Sequence, residues 1–146
     1  MYIRNFMEAR RNLYNYAISL LGLPYKWGGD DPIAGFDCSG LVIELLISQG
    51  VFPKGFDSTA NGLHQNHAIK PIKNPKFGAL CFFGSQSKVT HVGFCLDRDL
   101  MLEAGGGGSK TKTEKDAEVQ NAFIRIRPIS SRNDLVGYGW PSYPYL

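Results

Sequence analysis

Phe6, Ala9, Leu13, Tyr16, Ala17 and Leu20 recur at spacings of three and four, with Arg10, Arg11, Asn12 and Asn15 off that stripe. The period predicts an amphipathic helix over residues 5–21, stopped by Gly22 and Pro24. Residues 22–36 hold Gly22, Pro24, Gly28, Gly29, Pro32 and Gly35 and read as an ordered turn region. The helical period returns over residues 38–49, where Cys38, Leu41, Val42, Leu45 and Leu46 share one face and Gly50 fits the stop. After residue 78 the pattern is that of strands. Residues 79–83 form a short apolar run between Gly78 and Gly84, and residues 90–96, 100–104 and 122–127 follow as three more strands. Asp97, Arg98 and Asp99 make a tight polar hairpin connection, and the Tyr-, Trp- and Pro-rich tail, residues 137–146, predicts a final short strand. Helices first, strands after and hairpin-length loops predict an α+β fold with an antiparallel sheet, as a single domain over residues 1–146.

Composition narrows the function classes. Hydrophobic residues are 43% and charged residues 20% of the 146, an ordinary globular balance. No apolar run approaches the ~18 residues of a membrane span. A net charge of +3 is too mild to announce nucleic-acid binding. Three cysteines, Cys38, Cys81 and Cys95, leave at least one thiol unpaired and argue against a disulfide framework. The first residues are charged and lack an apolar stretch, so no secretory signal is expected.

Gly35-Phe36-Asp37-Cys38-Ser39-Gly40 opens the second helix. A thiol there meets the positive end of the helix dipole and unpaired backbone N–H groups, which favour thiolate and can receive an oxyanion. Taken alone, Cys38 reads rather as a buried core residue packed beside Leu41 and Val42. A thiol nucleophile needs a base. His91 lies on a strand, sharing a face with Gly93 and Cys95, and Gly93 leaves room beside it. Glu103 lies on the next strand, and a hairpin at residues 97–99 sets it opposite His91, where it can orient the ring. Cys81 and Cys95 read as core or sheet residues, and the face Cys95 shares with His91 puts it at the cleft edge. His64 and His67 sit in a polar loop with no further ligand cluster, so no metal site is expected. The glycine run 105–108 does not match a phosphate-binding loop and reads as flexible. Residues 110–116 read as a mixed-charge, solvated loop.

Leu23-Pro24-Tyr25-Lys26-Trp27-Gly28-Gly29, then Phe36-Asp37-Cys38-Ser39-Gly40-Leu41-Val42, then Phe82-Phe83 and His91-Val92-Gly93 resemble the NlpC/P60 family of papain-like cysteine peptidases, over roughly residues 10–105. The resemblance implies a papain-like fold and an endopeptidase acting on the stem peptides of peptidoglycan, at the bond joining D-γ-glutamate to meso-diaminopimelate or Lys. It implies Cys38 as nucleophile, His91 as base and then acid, Tyr25 near the oxyanion, and Asp37 and Ser39 gripping the free amine of the stem. No cofactor is implied. Two positions depart from the family pattern. Glu103 stands where His, Asn or Gln is usual, and Ala79 stands where a carboxylate often precedes the Phe-Phe strand. An N-acetylmuramoyl-L-alanine amidase or acyltransferase on the same fold, and a silent wall-binding or phage-tail module, are the alternatives. With no signal expected, the settings that fit are a phage virion with tail-protein partners, a released lysin at the wall, and the bacterial cytoplasm.

Overall fold

The computed structural model describes residues 2–146. Three helices and a turn region precede the six-stranded sheet. Helix α1 spans Tyr2–Ser19 and α2 spans Cys38–Ser48. Between them, strands β1 (Asp30–Asp31) and β2 (Gly35–Phe36) pair antiparallel, and Tyr25 bridges to Phe36. Helix α3 (Ala60–Gln65) and strand β3 (Ile69–Ile72) lead into β4 (Leu80–Gly84), β5 (Val89–Cys95) and β6 (Leu100–Gly105). Helix α4 (Glu114–Gln120), β7 (Phe123–Pro128), a 3-10 turn (Ile129–Ser131) and β8 (Leu135–Pro141) complete the chain. Six strands form one antiparallel sheet in the order β3-β8-β4-β5-β6-β7. This is the expected α+β architecture.

The sheet has two apolar faces of unequal size. On one, Leu80, Phe82, Val92, Phe94, Leu102 and Ala104 meet Leu41, Val42, Leu45 and Leu46 of α2. Each fully buried Leu or Phe contributes about 1.5–3 kcal/mol relative to exposure, so this layer anchors α2. On the other, Ala79, Cys81, Phe83, Cys95, Met101 and Ile129 form a smaller cluster. The alternation of Phe82 with Phe83, and of Phe94 with Cys95, divides the two faces as a period of two requires. Ala79 is fully buried in the smaller cluster, where a carboxylate would be costly.

Several sequence expectations need correction. The polar stretch 61–67 is mostly helical in α3, capped by Thr59, whose side chain accepts the Gly62 N–H. Residues 110–116 are not all loop: α4 starts at Glu114 on a reciprocal capping box of Thr113 and Asp116. The final strand of the tail is present as Leu135–Pro141, starting two residues before the expected stretch, and it runs inside the sheet, between β3 and β4. Cys95 does share the face of His91, but it is fully buried under the smaller cluster and does not edge the cleft. The room expected beside Gly93 is filled by sulfur: a Cβ there would lie 2.9 Å from Met101 Sδ and 3.0 Å from Cys81 Sγ.

Candidate active site

Asp37 is the N-cap of α2 and places Cys38 at its first helical position. Its Oδ1 accepts the Gly40 N–H at 2.7 Å, and its Oδ2 accepts the Gly28 N–H at 3.0 Å. One carboxylate thus fastens the helix start to the Gly28-Gly29 turn. The approach is close enough that a Cβ on Gly40 would collide with the Gly29 carbonyl oxygen, so Gly40 can only be glycine. Ser39 is buried and its hydroxyl donates to Asp37 Oδ1 at 3.4 Å. Burial holds the Asp37 carboxyl above its ordinary value, although the Gly40 and Gly28 N–H groups and Ser39 pull it down. Asp37→Ala removes the cap and this tie, and should cost about 1–2 kcal/mol, read as a lower urea midpoint with unchanged slope.

The Leu41 N–H donates to the Asp37 carbonyl at 3.1 Å. That leaves the N–H groups of Cys38 and Ser39 as the donors of the first turn without a protein acceptor among the described residues. Tyr25 packs beside them, 5% exposed. Burial first, then the charges of Cys38 and Asp37, push its phenol well above the ordinary value, so it remains a hydroxyl donor.

His91 comes from β5 just after an irregularity in the β4–β5 register between Phe83 and Gly84, the kind of bulge that re-aims a side chain. Its Nε2 donates to Glu103 Oε1 at 2.8 Å, which leaves Nδ1 as the ring nitrogen not engaged by Glu103, in the arm of the cleft that Cys38 also lines. Glu103 is 2% exposed. The hairpin turns at residues 97–99 as expected, with Asp97 accepting the N–H groups of Asp99 and Leu100. The paired ladder of β5 and β6 ends at Phe94 with Leu102, so Glu103 reaches His91 diagonally rather than from directly opposite. Burial works against a charged ring, but hydrogen bonding and charge from Cys38 and Glu103 outweigh it, and His91 is pushed up to about 9. Burial would likewise raise Glu103, yet His91 and then Arg125 hold it below its ordinary value.

Tyr25, Trp27, Cys38 and Thr90 are shared by two arms of a cleft, of about 190 and 560 Å³. The larger arm carries Asp37, Asp57, Ser39 and Lys88; the smaller carries His91, Glu103, Arg125 and Arg132. Gly106, Gly107 and Gly108 wall the smaller arm, and Gly107 packs against the Tyr25 ring, so this segment is a seated wall of the cleft. All six residues singled out in the sequence, Tyr25, Asp37, Cys38, Ser39, His91 and Glu103, therefore meet at one cleft. His64 lies outside it, its ring edge-on to Phe82 at 5.0 Å. The sequence reading missed Arg125. Its signal was the alternation of residues 122–127, which sets Arg125 and Arg127 on the face away from Ile124, but only the register shows Arg125 opposite Glu103.

The model of the NlpC/P60 family matches residues 22–128, past the stretch of the sequence resemblance and through β7. The chain is 36% identical over 134 residues to the murein DD-endopeptidase MepH of Escherichia coli, covering 88% of this chain and 49% of that protein. It is 33% identical over 112 residues to the bifunctional muramidase/DL-endopeptidase CwlT of Bacillus subtilis, covering 73% of this chain and 32% of that protein. It thus spans a third to a half of these relatives. The solved peptidoglycan hydrolase RipB of Mycobacterium tuberculosis shares the fold, with a TM-score of 0.71 at 24% identity, over 97% of this chain and 68% of that one.

Proposed function

The chain belongs to the NlpC/P60 family, and from that premise we propose that it is a cysteine endopeptidase of peptidoglycan stem peptides, cutting the bond between D-γ-glutamate and the diamino acid. The observation that carries the reading is the convergence of Cys38, the first residue of a capped helix, with His91 and its hydrogen-bonded partner Glu103 on one arm of the cleft.

In this mechanism His91 takes the thiol proton of Cys38, and Sγ attacks the γ-glutamyl carbonyl carbon. The oxyanion that forms takes the N–H groups of Cys38 and Ser39, with the Tyr25 hydroxyl beside them; these donors are in place before the charge develops. The C–N bond breaks as His91 hands its proton to the leaving amine, and a thioester on Cys38 remains. Water then attacks the thioester. His91 takes the water's proton, the acid product leaves, and Cys38 is regenerated. Glu103 holds the ring in place and balances its charge throughout. The arm holding Asp37 and Asp57 suits the ammonium of the stem's free N-terminus, by charge-assisted hydrogen bonding. Asp37 already accepts two backbone N–H groups, so its share of that grip comes through its remaining lone pairs.

Mass spectrometry of purified muropeptides incubated with the protein tests the reading. New fragments ending at the γ-glutamyl carboxylate are expected, from stems with meso-diaminopimelate or with Lys. Release of intact stems from the sugar would make the protein an amidase. No cleavage of either stem, together with slow alkylation of Cys38, would overturn the reading in favour of a binding or structural role.

A further inference from the structure

Glu103 does not serve His91 alone. Its Oε1 faces His91, while its Oε2 accepts the Arg125 Nε–H at 3.3 Å and lies 3.9 Å from Arg127 Nη1. Arg125 is the direct cross-strand partner of Glu103 in the β6–β7 ladder, so its position is set by register. Its side chain is 30% exposed in the smaller arm of the cleft, against 2% for Glu103. Gly105 makes the contact feasible. Its backbone does not need glycine's left-handed freedom, but a Cβ there would lie 2.6 Å from Glu103 Oε2 and 2.8 Å from Arg125 Nη2. A side chain at 105 would push carboxylate and guanidinium apart.

We propose that Arg125 is a positioning residue that shares Glu103 with His91, so that the ring is held by a carboxylate already part-neutralised by a guanidinium rather than by a free one. This rests on the reading of His91 as the proton carrier of the site. A buried carboxylate given over wholly to an imidazolium holds its proton too firmly, and such an acid delivers that proton slowly to a leaving amine. A cation on the far oxygen competes for the same negative charge and lowers the ring's hold on the proton, because like charges disfavour one another. The charged and titratable groups around His91 are Cys38 from α2, Tyr25 from the turn region, Glu103 from β6, and Arg125 and Arg127 from β7. Arg132 and Asp134 lie before β8. Those last two are tied to each other at 2.9 and 3.0 Å, which leaves Arg125 as the nearest cation bound to Glu103.

The test is the NMR titration of the His91 ring in a Cys38→Ala background, with and without Arg125→Met. It needs no substrate, so it stands even if the peptidase reading falls. His91 is one of three histidines and is assigned with His91→Gln. Arg125→Met should raise the His91 midpoint by about one pH unit. Arg125→Lys should leave it near the parent, and Arg127→Met should move it less than Arg125→Met does. With Cys38 intact, Arg125→Met should lower kcat roughly tenfold with KM little changed, and Arg125→Lys should restore most of it. If the Met variant does not fold, Arg125→Gln keeps a donor without the charge and carries the same expectation. A midpoint that stays put or falls in a folded charge-removing variant overturns the proposal and leaves Arg125 a packing residue.

Discussion

Cys38→Ala should lower the turnover of a stem peptide by about 10⁴-fold or more, and His91→Ala should do nearly as much alone. The double variant should be no worse than Cys38→Ala. The two side chains act as one unit: without the sulfur there is nothing for the ring to serve, and without the ring the leaving amine has no proton source. The residual rate would come from the N–H groups of Cys38 and Ser39 and from binding, which neither substitution removes. The fold should survive, since Cys38 is only partly buried and Ala suits a helix start. Melting curves of the variant and parent should overlie while initial rates separate by orders of magnitude. A Cys38→Ala protein that keeps a hundredth of the parent rate would mean that the bond is cut by some other group.

Much of this site is legible in the sequence alone, because its parts obey local rules. The nucleophile was legible because Asp37, Cys38 and Gly40 follow a turn and open an apolar helical stripe, which is a short-range pattern. The pairing of His91 with Glu103 was legible because one tight hairpin links their strands, although its diagonal geometry was not, since the ladder ends before Glu103. What depends on distant pairing could not be read. The insertion of β8 between β3 and β4 and the placing of Arg125 against Glu103 are both set by strands far apart in the chain. Helix α4 is a different case. Its capping signal, Thr113 with Asp116, lay in plain view, but the surrounding lysines and acids outweighed it. The burial of Cys95 was misjudged because a shared face implies shared exposure only when that face is open, and here it is closed by Met101, Phe83 and Ile129.

Raising the pH from neutral to about 10 should reduce both the stability and the activity of this protein, through His91. The ring stands at about 9 in the fold, against 6.5 for a free histidine. A raised folded value means that the native state binds the proton more tightly than the unfolded chain does. The stabilisation is therefore complete below about 6.5 and is lost as the pH climbs through about 9. Its full size is on the order of 3 kcal/mol, or some 6–12 °C in melting temperature for a domain of this length. Glu103 behaves in the opposite sense. Its folded value lies below the ordinary one, so its contribution is present above 4.5 and fades as the pH falls through that lowered value. Asp37, held above its ordinary value, opposes Glu103 in acid, because protonating it relieves the cost of its burial. Stability should thus be greatest between about 5 and 6.5 and should decline on the alkaline side with His91. Lysines and tyrosines also titrate near 10, so the quantity to measure is the difference between the parent and His91→Gln. The parent's melting temperature should fall more steeply from about 6.5 to 10 than that of His91→Gln, which has no proton to lose at that position. Parallel curves would mean that the Cys38–His91–Glu103 contacts do not hold a proton in the folded protein. His91 would then take the proton it delivers to the leaving amine from Cys38 only at the moment of attack.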